Sequence, residues 1–191
     1  MGRGYRRGST SIMGTRLRHI EWKIMNVLAP IILKDVEGCV VDIGIGPSTE
    51  ILRKHSKSFG VNHYSCDILP YKCEWARSVG CEAYEMESLD FIKQFDKQPI
   101  ALVFLDGWHK YELVKQEVDF FLPQLSYGGV MFIHDTNPPE KYRADNGRHC
   151  GDVYKIRPEL ENEEDLQVFT WPYTAAKCGL TMITQAIEEK K

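Results

Sequence analysis

Three stretches of this chain place chemically capable residues where an apolar strand runs out. The first is Val40-Val41-Asp42-Ile43-Gly44-Ile45-Gly46-Pro47-Ser48-Thr49, read as a strand, a glycine turn and the start of a helix. Glycine permits a positive φ and lets backbone approach a ligand closely, while the helix start offers free N–H groups. The second is Asp67, which closes the run Asn62–Cys66. It lies roughly 20 residues beyond Gly44, the separation at which an acid can accept both hydroxyls of a ribose. Such a pair points to a nucleoside cofactor.

The third is a pair of segments, Leu102-Val103-Phe104-Leu105-Asp106-Gly107-Trp108-His109-Lys110-Tyr111 and Gly128-Gly129-Val130-Met131-Phe132-Ile133-His134-Asp135-Thr136-Asn137. Each apolar run delivers polar groups to its carboxyl end, the edge where α/β sheets bind ligands. Adjacent parallel strands lie about 4.8 Å apart, so Asp106, His134 and Asp135 can converge on one divalent cation. Magnesium prefers hard oxygen ligands, whereas imidazole suits manganese and other transition ions better, so the choice between Mg and Mn stays open. The rival reading has His134 and Asp135 line a substrate pocket, one of them acting as a base. His109, with an unperturbed pKa of about 6.5, can accept a hydroxyl proton near neutrality; alternatively its ring packs in the loop and bonds the backbone.

The elements that must position these groups alternate along the chain. Strands are expected at Cys39–Ile43, Asn62–Cys66, Glu82–Glu85, Ile100–Leu105, Gly129–Ile133, Leu166–Trp171 and Leu180–Gln185, with helices between most of them. Central strands that are apolar throughout imply a parallel sheet covered on both faces. A helix is expected over Arg16–Leu28, with Leu17, Ile20, Ile24, Val27 and Leu28 at helical spacing and Pro30 closing it. Others are expected at Ser48–Lys57, Tyr71–Val79, Ser88–Phe95, Tyr111–Leu122 and Val153–Leu160. The fifth has an amphipathic face of Leu113, Val114, Glu117, Val118 and Phe121. The connection Pro172–Gly179 is too short for a parallel crossover, so the last two strands should run antiparallel. The expected fold class is therefore α/β, a Rossmann-like doubly wound seven-stranded sheet, mostly parallel with an antiparallel last strand.

That ending, together with the D-G-x-H-x-Y run at Asp106–Tyr111 and the G-G-x-x-x-x-H-D run at Gly128–Asp135, resembles the class I S-adenosylmethionine (SAM)-dependent methyltransferases. Within them the chain is similar to the small "methyltransferase domain" type and to the catechol and macrolide O-methyltransferases. The resemblance spans about residues 37–185. It implies that Asp42, Gly44 and Gly46 hold the methionine part of SAM and that Asp67 holds its ribose. It further implies that Glu87, Ser88 and Trp108 frame the adenine, and that Asp106 with His134-Asp135 occupies the place of a Mg²⁺ site. His109 falls where the catechol enzymes place a lysine base. The chain departs from that pattern at His134, which stands where relatives carry a carboxylate. Thr49 stands where a nicotinamide fingerprint has its third glycine, which weighs against an NAD-dependent oxidoreductase.

The reading is then a methyltransferase acting on an oxygen, less readily a nitrogen, of a small molecule or glycan. Its alternatives are a non-catalytic SAM- or nucleotide-binding accessory protein and an RNA methyltransferase. The net charge of −3 and pI near 6.1 weigh against a nucleic-acid partner without removing it. Arg3, Arg6 and Arg7 make residues 1–15 a basic, flexible arm ahead of one domain at 16–191. No run approaches the ~20 apolar residues of a membrane span, and no apolar signal core opens the chain. Six cysteines without a C-x-x-C pair read as reduced, buried thiols of a cytoplasmic protein rather than a zinc or disulfide framework. The polar stretch 143–152 has the character of a loop over an active site, where Arg143, Arg148 and His149 can meet an anionic or sugar-like substrate; the default reading leaves them exposed to solvent. A chain this short must build its acceptor site from loops, the N-terminal helix or a partner, and a homodimer is one way to do so.

Overall fold

In the computed structural model, residues 19–97, 99–144, 147–174 and 178–185 are described; the basic arm expected at 1–15 lies outside them. Seven strands form one sheet: β1 (Cys39–Ile43), β2 (His63–Asp67), β3 (Glu82–Glu85), β4 (Ile100–Leu105), β5 (Leu125–His134), β6 (Leu166–Trp171) and β7 (Leu180–Gln185). Their order is β3-β2-β1-β4-β5-β7-β6. Pairings from β3 through β5 are parallel, while β7 runs antiparallel to both β5 and β6. This is the expected α/β doubly wound sheet, closed by the short 172–179 connection. The order reverses between β1 and β4, which opens a crevice at their carboxyl ends. Ile43, Leu105 and Ile133 stand side by side in the register, so the residues that follow them emerge level with one another.

Alternation along the strands sends side chains to two faces. Val41, Ile43, Val103, Leu105, Met131 and Ile133 face one cluster, with Val114, Val118 and Phe121 of the helix Tyr111–Phe121. Val40, Leu102, Phe104, Val130 and Phe132 face the other, with the helices α1 (Ile20–Asp35) and α2 (Pro47–Phe59). The remaining helices are α3 (Pro70–Ser78), α4 (Ser88–Gln94), α5 (Tyr111–Phe121) and α6 (Ile156–Glu161).

Helix α1 corrects the sequence expectation twice. It continues to Asp35 with Pro30 inside it, and its buried residues are Glu21, Trp22, Met25, Ala29, Ile32 and Leu33. Ile20 and Val27 are exposed, so the buried stripe is the neighbouring face. Proline inside a helix costs about 3 kcal/mol, through a missing donor and a crowded carbonyl. Burying Ile32 and Leu33 beyond it returns roughly 1.5–3 kcal/mol each, which is enough to carry the helix through.

Helix α5 buries the expected face, and one member of it is a carboxylic acid. Glu117 is 1% exposed, and neither carboxylate oxygen has a hydrogen-bond partner of good geometry among the described residues. Burial pushes its pKa from 4.5 up to about 7, against a weaker opposing effect of the Ser88 hydroxyl. A raised folded pKa contributes stability that is complete below the unfolded value and is lost as pH rises through the folded one. Ionised Glu117 therefore costs on the order of 3 kcal/mol above pH ~7. Glu117→Gln is expected to raise the urea midpoint clearly at about pH 8.5 and only slightly at about pH 5. An equal gain at both pH values would show that packing, not ionisation, sets the cost.

Candidate active site

The loop after β1 is drawn tightly against the loop after β4. Gly44 has φ +91, and a Cβ there would lie 2.1 Å from the Asp106 carbonyl oxygen, so only glycine fits. Asp42 lies beneath the turn, wholly buried. Its carboxylate accepts hydrogen bonds from the hydroxyls of Ser48 and Thr49, and the Thr49 oxygen in turn accepts the Gly46 N–H at 2.9 Å. Burial raises the Asp42 pKa to about 7 in spite of those two hydroxyls. In this arrangement Asp42 fixes the shape of the turn from below.

Asp67 ends β2 and ties that edge to the same turn. It accepts the Ile45 N–H at 3.0 Å and the Leu69 N–H at 2.9 Å, and pairs with Lys72 Nζ at 2.7 Å. A carboxylate offers about four acceptor positions, so the lysine occupies one that a ribose diol would need. Glu87 is exposed at the start of α4, and Ser88 is its buried first residue. Trp108 is 57% exposed, with Gly147 closed against its ring.

At the ends of β4 and β5 the expected cluster assembles. His134 Nδ1 lies 3.3 Å from Asp106 Oδ1 and 3.1 Å from Asp135 Oδ1. His109 Nε2 lies 3.1 Å from Asp135 Oδ2 and 3.6 Å from Asp106 Oδ1. The other His109 nitrogen, Nδ1, donates to the His149 carbonyl oxygen, which aims Nε2 at the two acids. Burial alone would depress the His109 pKa; the two carboxylates outweigh it and hold the ring at about 8. Burial would likewise raise Asp106, but the two imidazoles keep it below the ordinary carboxylate range. His134 is held well above its usual value by the same two acids, against the effect of burial. Its ring stacks on Trp22 of α1, with centroids 5.7 Å apart and planes 12° off parallel.

These groups line a cavity of about 660 Å³ that reaches Pro47 and Lys72 beside the glycine turn. Glu87, Ser88 and Trp108 do not line it. Reasoning from sequence missed several residues that do: Glu21 and Trp22 on α1, Lys72, Tyr142, Cys150 and Cys178. The buried face of α1 carried the only available signal for Glu21 and Trp22.

Of the described residues of the 143–152 stretch, His149 and Cys150 line the cavity. Asp152 accepts the Tyr111 N–H at 2.7 Å at the start of α5 and donates its own N–H to the His109 carbonyl oxygen at 3.3 Å. Arg143 turns to the Pro138 carbonyl oxygen and stacks over Tyr154. Among the described residues, those other than glycine with positive φ are Asp135, His149 and Cys178, and all three line this cavity. Backbone held in that region costs of order 1–3 kcal/mol per residue and gathers at functional sites.

A doubly wound sheet with this crevice, glycine turn and cluster is the architecture of a class I methyltransferase. A family model described as "Methyltransferase domain" matches residues 41–136, and the chain belongs to that family. No curated protein sequence matches the chain closely enough to count. Among solved structures, a Corynebacterium glutamicum protein superposes with TM-score 0.69 at 16% identity, over 97% of this chain and 94% of that one. A candidate caffeoyl-CoA O-methyltransferase from Staphylococcus aureus gives TM-score 0.70 at 13% identity, over 93% of each chain. The O-methyltransferase from Bacillus cereus, crystallised with S-adenosylhomocysteine (SAH), gives 0.67 at 16%, over 86% of this chain and 80% of that one. Among the described residues, no helix is long and apolar enough to cross a membrane.

Proposed function

We propose that this chain binds SAM in the crevice at the ends of β1, β2 and β4 and transfers its methyl group to an acceptor oxygen of a small molecule or glycan. The observation that carries the reading is the convergence of Asp106, His109, His134 and Asp135 on a cavity that adjoins the Gly44–Gly46 turn. The Bacillus cereus structure supports it, since a protein of the same fold holds SAH.

The roles follow from position. Asp42 supports the turn that meets the methionine end, and Gly44 and Gly46 bring backbone to it. Asp67 takes the ribose hydroxyls once Lys72 swings away. Glu87, Ser88 and Trp108 frame the adenine from outside the acceptor cavity. In the transfer, the bond from sulfonium sulfur to methyl breaks as the acceptor oxygen bonds to carbon. The electron pair stays on sulfur to give SAH, and the hydroxyl proton passes to His109 Nε2 in the neutral form of the ring, which predominates only above pH ~8. Holding these atoms in line and excluding water supplies most of the rate.

Asp106, His134 and Asp135 also fit a divalent ion: one ligand atom from each lies within 4.8 Å of the others. Both His134 nitrogens are buried and, among the described residues, lack a hydrogen bond of good geometry, although two carboxylates stand close by. When bound, such an ion would act as a Lewis acid on the acceptor oxygen, and the imidazole favours Mn²⁺ over Mg²⁺.

The test is transfer of label from methyl-labelled SAM to a panel of phenols, hydroxylated polyketide-like compounds and glycans, with EDTA or with added Mn²⁺. O-methyl product from at least one acceptor is expected. A protein that binds SAM but labels none of them would favour the accessory-protein reading.

A further inference from the structure

A second group of ligating side chains stands against the first. Asp135, Cys150 and Cys178 are all buried, and one ligand atom from each lies within 4.8 Å of the other two. They come from three places: the end of β5, the loop after Tyr142 and the turn before β7. Main-chain bonds clamp them together. Asp135 N–H donates to the Gly179 carbonyl oxygen and Asn137 N–H to the Cys178 carbonyl oxygen, both at 3.0 Å. Cys150 N–H donates to the Tyr142 carbonyl oxygen at 3.2 Å. Gly151 then seats against the His109 carbonyl oxygen, where a Cβ would lie 1.7 Å away. Two of the three ligating residues, Asp135 and Cys178, sit at positive φ. The fold therefore holds strained backbone in order to bring two thiols and a carboxylate to one point on the cavity wall.

We propose that Asp135, Cys150 and Cys178 form a binding site for a thiophilic divalent cation, Zn²⁺ in the first instance. The chemistry of the donors selects the ion. Thiolates bind zinc at about 2.3 Å and are poor ligands for Mg²⁺ or Ca²⁺. Three protein ligands leave the fourth position of a tetrahedral ion for water or substrate, as open zinc sites do, and here the three line the cavity. Binding displaces the two thiol protons to solvent, so affinity rises with pH. The site shares Asp135 with the Asp106–His134–Asp135 group but depends on neither SAM nor methyl transfer.

The experiment is titration of the reduced, metal-stripped full-length protein with Co²⁺ alone, followed by Zn²⁺ as competitor. At least one cobalt per chain is expected, with a thiolate-to-cobalt charge-transfer band that saturates at one equivalent and that Zn²⁺ abolishes. Cys150→Ser and Cys178→Ser should each weaken that band and lower Zn²⁺ affinity by roughly 100-fold, a fair share for one ligand in a zinc site. Asp106→Asn should leave the band in place, which separates this site from its neighbour. Should a serine variant fail to fold, alkylation of the wild-type protein decides: Zn²⁺ must shield Cys150 and Cys178 from a thiol reagent, read by peptide mass. A wild-type protein that shows no thiolate band, a band that survives both serine variants, or a Cys150–Cys178 disulfide that forms equally with and without Zn²⁺ would each overturn the proposal.

Discussion

Asp67→Ala is expected to weaken SAM binding by about 100-fold while leaving the fold intact. A carboxylate that accepts two ribose hydroxyls makes charge-assisted hydrogen bonds worth about 1.5–3 kcal/mol each, part of which water recovers in the variant. In the structure the same group is held by two backbone amides and Lys72. Asp67→Asn keeps an acceptor for only one of the two amides, which bond different carboxylate oxygens, and should lose about tenfold, the equivalent of one charged bond. Lys72→Met removes the group that competes for the carboxylate, and its SAM affinity should equal or exceed that of the wild type. If Asp67 served only to hold the turn and Lys72, then Asp67→Ala would lower the melting temperature and leave SAM affinity unchanged. Calorimetric titration beside a thermal melt distinguishes the two.

His109→Ala should spare SAM affinity to within about twofold and lower methyl transfer by roughly 10²–10⁴, the usual contribution of a positioned acid or base. The argument is geometric. A backbone carbonyl fixes the Nδ1 hydrogen, so Nε2 is the atom that faces the cavity and its two acids. Nothing in this arrangement holds the cofactor, so the loss should fall on kcat rather than on the Kd for SAM. His109→Gln, which can bond the carbonyl but cannot take up a proton, should be as slow as alanine. Wild-type turnover in either variant would remove His109 from the reaction.

What could be read in the sequence was whatever one short segment encodes. The run from Val40 to Thr49 contains its strand, its turn and its helix start, and the structure places all three there. The same locality makes the β6–β7 pairing legible, because a short connection forbids a crossover. Helix α1 was harder, since apolar residues lie on both of its sides and Pro30 interrupts the pattern. Which stripe is buried is decided by the sheet beneath it, where Trp22 meets Phe104 and His134. Cys150 and Cys178 meet only because a long loop and a late turn fold onto β5. No periodicity records that contact, and scattered cysteines looked inert. Lys72 on Asp67 escaped for the opposite reason: a lysine five residues from an acid is too common to signify until the helix start at Pro70 turns it back.

The most direct test of the central claim is calorimetric titration of the purified chain with SAM, SAH and NAD, each with and without EDTA. Binding of SAM and SAH, with none of NAD, is the predicted result. Binding of NAD alone, or of none of the three, would contradict the assignment of the Gly44–Gly46 turn and Asp67 to a SAM site.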